Sequence, residues 1–414
     1  MPERGFVETI KKFHSLAPKK TVSERGVSNY GSWCKVNTIP PFDLSDQYKL
    51  IGEEINQAVL GVLASGRYIG GTIVETFEQQ LADYVGVSEC VACNSGTDAL
   101  YLALRALKIG AGDEVITTSF TFIATGETVS AVGATPIFVD IDPQTFNLDL
   151  NQIEAAITPR TKAIIPVHLF GQPVDMTRLM AIAHAHRLTV IEDCAQATGA
   201  EWAGQKVGSI GQIGCFSFYP TKNLGACGDG GAITTNDPEV AATLRMLRDH
   251  GRRSGYYHEE FGVNSRLDAI QAAILQIKLR YLDGWNDQRR VIADRYHQLL
   301  KSIPNVVIPQ EIPNGRSVWN QYTVRIVEDF SQSEGGKLLR DRVRTQLQSK
   351  GVNSMVYYPL PLHLQPIYQS LGYQPGQLPV SERAAHEVLS LPMFPELSIE
   401  QQDQVVYGLK DCLG

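Results

Sequence analysis

Between residues 89 and 235, short runs rich in β-branched residues alternate with helix-like stretches, and this rhythm constrains the chain more than any other feature. The strand candidates are 90–93, 114–118, 136–139, 163–167, 189–191, 215–218 and 232–235. Between several of them lie amphipathic or Ala-rich stretches at 99–107, 126–132 and 176–186. Strands alternating with helices imply crossover connections, so the pattern predicts an α/β domain with a largely parallel, helix-covered sheet. The last two candidates differ, being joined by a glycine-rich loop and no helix.

At 414 residues the chain is too long for one ordinary core and predicts two domains, or one large domain with an appendage. Residues 39–284 read as the large domain, with further helices at 50–64, 76–84 and 267–282. From about 285 the character changes. Helical runs at 291–300 and 337–350, strand-like pieces at 321–326 and 353–356, and a proline-rich stretch at 358–366 predict a smaller α+β domain over 285–414. Residues 1–38 carry seven basic and three acidic side chains with little hydrophobic period. They read as a mobile or loosely docked extension, with a weak amphipathic pattern at 10–16.

Composition narrows the function classes. No apolar run approaches the roughly 20 residues of a membrane span, and the first residues lack the pattern of a secretory signal. A net charge of −7 argues against general nucleic-acid binding, although one local basic cluster can still hold a small anion. The seven cysteines are an odd number, and several sit in hydrophobic runs, which fits reduced thiols and a cytoplasmic protein. Cys90-Val91-Ala92-Cys93 has redox or zinc spacing, but no second pair follows at ligand spacing and the segment reads as a strand, so no metal is expected.

Four segments carry chemistry. In Asn94-Ser95-Gly96-Thr97-Asp98-Ala99-Leu100, Gly96 lets the backbone approach a ligand and the free N–H groups of a helix start can cradle a phosphate; the bland reading is an ordinary capped helix. Asp193, in Val190-Ile191-Glu192-Asp193-Cys194-Ala195-Gln196, stands at a strand's C-terminal end, where α/β proteins place ligands, or simply caps the next turn. Lys222 lies in an otherwise uncharged stretch, Phe216-Ser217-Phe218-Tyr219-Pro220-Thr221-Lys222. Burial there would leave a neutral amine able to form an imine; a surface lysine on a loop is the alternative. The following Gly228-Asp229-Gly230-Gly231 precedes a strand and opens no helix, so it is no dinucleotide fingerprint. Phe122 could stack on a flat heteroaromatic ring or belong to the core.

Taken in order, Ser95–Leu100, Glu192–Gln196, Ser217–Lys222 and Gly228–Ala232 resemble the DegT/StrS-type sugar aminotransferases. The resemblance runs from about Pro40 to the C-terminus and includes His168-Leu169-Phe170-Gly171-Gln172-Pro173, Gly262–Asp268 and Tyr358-Pro359-Leu360-Pro361-Leu362-His363. It implies a fold-type-I enzyme dependent on pyridoxal 5'-phosphate (PLP), working as a homodimer with active sites at the subunit interface. By matched motif, Lys222 forms the Schiff base and shuttles the proton, Asp193 keeps the pyridine nitrogen protonated, and Gln196 lies near the ring hydroxyl. Phe122 stacks on the ring; Gly96, Thr97 and Ser217 hold the phosphate, and Asn264 reaches it from the partner subunit. Arg252, Arg253 and Arg266 would counter a diphosphate, unless their segment is an ordinary solvated loop. His363 would line the sugar pocket, or be a packed loop histidine. The implied reaction moves an amino group, in most relatives from glutamate, to a keto sugar on a nucleotide, for amino-sugar and polysaccharide biosynthesis. Residues 317–325 and 262–268 look closest to relatives acting on 3-keto sugars. Two other readings stand beside it. One is a sugar dehydratase, whose relatives carry histidine where this chain has Lys222; the other is a PLP-binding regulatory protein without turnover.

Overall fold

A computed structural model describes residues 38–327 and 338–414. All seven strand candidates form one sheet: β1 (Glu89–Cys93), β2 (Glu114–Thr118), β3 (Thr135–Val139), β4 (Thr161–Ile165), β5 (Thr189–Asp193), β6 (Ile213–Ser217) and β7 (Gly231–Thr235). Their order across the sheet is β1-β7-β6-β5-β4-β2-β3. Only β7 runs against its neighbours, because the glycine-rich loop from β6 brings it back as a return strand. The other pairings, β2 with β3 and β4, β4 with β5, and β5 with β6, are parallel. β4 starts and ends two residues earlier than its expected 163–167, since Pro166 has no N–H to continue the ladder.

Helices α1 (Ser45–Ser65), α2 (Thr72–Val85), α3 (Gly96–Ala106), α4 (Ile123–Ala131), α5 (Met176–His186) and α6 (Pro238–Leu247) surround this sheet. The strands are apolar on both faces, as a helix-covered sheet requires. Val91, Ile165, Ile191 and Ile233 meet Leu100, Leu104 and Leu244 in one core, while Ile116, Ile164 and Val190 meet Met176, Leu179 and Ala183 in another. The helix expected over 267–282 is in fact two. α7 (Ala269–Leu279) stops, Arg280 and Tyr281 turn the chain, and α8 (Leu282–Leu300) absorbs the run at 291–300.

The C-terminal part builds a second, antiparallel sheet from β8 (Val306–Val307), β9 (Tyr322–Ile326) and β10 (Val388–Leu391), with α9 (Leu339–Ser349), α10 (Pro379–Glu387) and α11 (Ile399–Leu413) alongside. Its core joins Tyr296, Tyr322, Val343, Leu347, Leu391 and Val405. α8 serves both cores. Its first turns put Leu282 and Trp285 among residues of the large sheet's helices, and its last put Ile292, Tyr296 and Leu300 into the C-terminal core. The expected boundary at 284/285 falls inside this helix. Ile39 is also buried in the C-terminal core and pairs with Val352. The piece at 353–356 is not a strand: the Asn353 N–H goes to the Ile39 carbonyl at 3.0 Å, and only Met355 pairs with Ser390. The extension and its pattern at 10–16 lie outside the described residues, as does Lys337. Among the described residues no helix is long and apolar enough to cross a membrane.

Candidate active site

Register places the chemistry at one edge of the large sheet. Gly231 on β7 pairs with Cys93 on one side and Ser217 on the other, so the chain leaving β1 lies beside the end of β6. Asp193 pairs with Cys215, which brings the end of β5 to the same edge. Two glycines make this closeness possible. A Cβ on Gly96 would stand 2.6 Å from Ser217 Cβ, and one on Gly231 would stand 2.3 Å from the Ser95 carbonyl oxygen. Ser95 caps α3 by accepting from the Asp98 N–H at 3.1 Å. No side chain among the described residues hydrogen-bonds the Thr97 hydroxyl. Gly96, Thr97 and Ser217 therefore surround a helix start whose N–H groups and dipole favour an anion.

Asp193 is buried. Its Oδ2 accepts from the Thr125 hydroxyl at 2.8 Å and its Oδ1 from the Ala195 N–H at 3.1 Å. Burial pushes its carboxyl above the ordinary range, while those two hydrogen bonds and the charge of Lys222 pull it back. Lys222 shows the opposite balance. Burial lowers its amine from 10.5 to about 8, against the attraction of Asp193. The residue as a whole keeps intermediate exposure, and its amine has no hydrogen-bond partner among the described residues. A lysine held near neutrality is a usable nucleophile and proton carrier at physiological pH.

Gln196 is gripped at both ends: its Oε1 accepts from the Phe170 N–H at 2.7 Å, and its Nε2 donates to the Tyr358 hydroxyl at 3.1 Å. Phe122 is 55% exposed, at the start of α4, with its ring centroid 6.3 Å from that of Tyr358. An exposed aromatic at the edge of this cluster offers a free face. Thr125 and Tyr358, which hold Asp193 and Gln196, are residues that sequence reasoning passed over. The signals were present: Thr125 follows Phe122 at one-turn spacing, and Tyr358 opens a motif noted above without a role.

The structure gathers Arg252, Arg266 and Asn264 around Asp249. Arg252 and Arg266 both bond its carboxylate, Arg266 at 3.1 Å, and Arg266 Nε donates to Asn264 Oδ1 at 3.1 Å. Burial works to raise the Asp249 carboxyl, but the hydrogen bond from Arg252 and both flanking cations hold it below the usual range. With Arg245 and Arg248 the two arginines line a cavity also bounded by Ile69, Val74 and Leu267. This group is tied to the phosphate-cradle loop, because the Ser265 hydroxyl donates to Asn94 Oδ1 at 3.1 Å. Arg253 instead pairs with Glu259 at 3.2 Å. His363 lies elsewhere. It is 1% exposed and its Nε2 faces Glu382 Oε1 at 3.1 Å, beside the Tyr373 ring.

His168, Glu192 and Cys194 present ligand atoms close together, but those of His168 and Glu192 are already engaged. Glu192 accepts from the N–H groups of Gly208, Ile210 and Gly211 and from His168 Nε2, at 2.7–3.0 Å. His168 Nδ1 accepts from the Val174 N–H at 3.0 Å, which fixes the proton on Nε2. Burial raises the Cys194 thiol well above its ordinary value. This buried cluster clamps the end of β5 and so fixes Asp193.

A seven-stranded sheet with one reversed strand, a buried aspartate ending β5 and a deprotonatable lysine after β6 define a PLP-dependent transferase of fold type I. The chain belongs to the DegT/DnrJ/EryC1/StrS aminotransferase family, whose model matches residues 49–410. It is 50% identical over 370 residues to a pleiotropic regulatory protein of Geobacillus stearothermophilus, covering 89% of this chain and 96% of that one. It is 47% identical over 375 residues to the UDP-N-acetyl-3-dehydro-alpha-D-glucosamine 3-aminotransferase of Acidithiobacillus ferrooxidans, covering 91% and 98%. Its fold matches the crystal structure of S. venezuelae DesV in complex with a ketimine intermediate, at a TM-score of 0.86 and 44% identity over 90% of this chain and 98% of that one. The enzyme is an aminotransferase, and its cofactor is pyridoxal phosphate.

Proposed function

We propose that this enzyme carries an amino group from glutamate to the 3-keto carbon of a nucleotide-linked hexose, serving amino-sugar and polysaccharide biosynthesis. One observation carries the reading: the buried amine of Lys222 and the buried carboxyl of Asp193 interact electrostatically at the sheet edge where Gly96 and Ser217 meet. The residues present fit the cofactor: the cradle takes its phosphate, Lys222 its aldehyde, Asp193 its ring nitrogen and Phe122 one ring face. When bound, pyridoxal phosphate supplies an electron sink that makes an adjacent C–H bond acidic. The chain does the rest. Asp193 provides the fixed negative charge, Lys222 Nζ takes and returns a proton near neutral pH, and Gln196 keeps its amide oriented through Phe170 and Tyr358.

The working form we propose is a homodimer, with Asn264 of the partner subunit reaching the phosphate and Arg252 and Arg266 facing the diphosphate of the substrate. Exposed apolar side chains at Tyr256, Tyr257 and Phe261, near those residues, support a covered surface there. The division into domains 39–284 and 285–414 belongs to the same proposal. So does a cytoplasmic setting, supported by the buried free thiols of Cys90, Cys93, Cys194 and Cys215.

The test offers the PLP form a panel of nucleotide-linked 3-amino and 4-amino sugars and follows the cofactor's absorbance as the reaction runs backwards. A 3-amino sugar should react; a response confined to 4-amino sugars would refute the position assigned. A deoxygenated product from the keto sugar in place of an amine would point to a dehydratase. The regulatory name of one relative makes a second reading concrete, and PLP binding without a half-reaction from glutamate would favour it.

A further inference from the structure

Three side-chain amides run in series behind Lys222. Asn286 Nδ2 donates to the Thr198 carbonyl at 3.1 Å, and its Oδ1 accepts from Asn223 Nδ2 at 2.6 Å. Asn223 Oδ1 in turn accepts from Asn320 Nδ2 at 2.7 Å. The Thr198 carbonyl can only accept, so the polarity of every amide in the series is set, and the last atom, Asn320 Oδ1, must be an acceptor. That atom is buried and has no partner, in a residue only 5% exposed. Gln321 Oε1, on the next residue, is also buried and unpartnered. Both residues line a narrow cavity of about 30 Å³ shared with Thr221, Met355, Tyr357 and Ser390. Two of its walls are the residues immediately before Lys222 and Tyr358. From behind, buried Arg289 holds the backbone carbonyls of Trp319 and Asn320 at 3.3 and 3.4 Å.

We propose that Asn320 is a specificity-determining residue whose Oδ1 accepts a hydrogen bond from a ring hydroxyl of the sugar being aminated. A buried acceptor without a donor is costly, and a hydroxyl supplies the missing proton. An amide oxygen fixed as an acceptor repels a carboxylate, so this subsite suits a sugar hydroxyl and not the carboxylates of glutamate. The inference rests on the sugar reading above.

The experiment measures the two half-reactions separately on PLP holoenzyme, together with equilibrium binding of the amino-sugar product. Asn320→Ala should weaken product binding and raise the sugar KM about tenfold, with kcat and the glutamate half-reaction within about twofold. In wild type, one singly deoxygenated sugar of a panel should lose a similar factor, and the variant should no longer distinguish it. That panel reads on unaltered enzyme, so it decides even if the variant folds poorly. Equal losses in both half-reactions would make Asn320 a structural residue, and no loss in either, with every deoxy sugar accepted equally, would leave the cavity to an ordered water; both outcomes overturn the proposal. A wild type that aminates no nucleotide sugar would instead sink the sugar reading itself.

Discussion

The buried amine of Lys222 should make the cofactor-free protein less stable. Free lysine holds its proton to 10.5, and burial in the fold lowers Lys222 to about 8. The ammonium is therefore disfavoured in the folded state by about 3 kcal/mol at pH 7, with the attraction of Asp193 already included. Replacing Lys222 by Met keeps most of the side-chain volume and removes the charge. Apo Lys222→Met should be more stable than apo wild type by about that amount at pH 7. The gap has a defined pH course. Between about 8 and 10.5 the unfolded chain binds a proton at this lysine that the folded chain has released, so wild type gains stability as pH rises, by up to about 1.4 kcal/mol per unit. The difference is thus full below pH 8, narrows through this window and vanishes above it. Urea unfolding of both apo proteins at pH 7.0, 8.5 and 9.5 measures it. A wild type more stable than the variant at pH 7, or a gap that does not close with rising pH, would refute the argument that burial sets this amine.

Three further substitutions probe the rest of the site. Gly96→Ala puts a methyl 2.6 Å from Ser217 Cβ; it should weaken PLP binding at least tenfold in a spectroscopic titration, and unchanged affinity would rule out the cradle. Asp193→Asn removes the fixed charge and should cut turnover by about a hundredfold or more, while borohydride reduction and mass spectrometry still find the cofactor linked to Lys222. Glu192→Ala leaves three backbone N–H groups and His168 Nε2 without their acceptor; a loss of about 3 kcal/mol or more is expected in denaturant unfolding, whereas a metal-site role would make stability respond to chelators in the wild type.

The large sheet was legible because its strands are buried on both faces. Runs such as Val115–Thr118 and Val190–Ile191 have no competing helical period, so every strand candidate formed, and the return direction of β7 follows from the missing helix before Gly231. That Asp193, Lys222 and Gly96 would come together was legible because each sits next to a strand end, where backbone direction dictates what meets. What could not be read was set by contacts distant in sequence. The passage from one core to the other falls inside α8, between Trp285 and Ile292, where no break in the helical period marks it. The fate of 353–356 is decided by Ile39, more than 300 residues away. Thr125 and Tyr358 gain their roles only once the fold brings them to Asp193 and Gln196.

The distribution of satisfied and unsatisfied polar groups gives the site its logic. Groups that must not move are saturated from behind: Glu192 with four donors, Gln196 at both ends, the Trp319–Asn320 backbone by Arg289. The groups proposed to act, namely the Lys222 amine, the Thr97 hydroxyl and Asn320 Oδ1, have no hydrogen-bond partner among the described residues. A buried group without a partner costs stability, and the fold tolerates that cost where a ligand removes it. The same division accounts for Phe122, whose ring is left half in solvent while Phe120, two residues earlier, is wholly enclosed. Saturated and unpartnered groups lie close together along one edge of one sheet, so the anion, aldehyde, ring nitrogen and flat face of the cofactor would meet the partners proposed for them with little rearrangement of the chain.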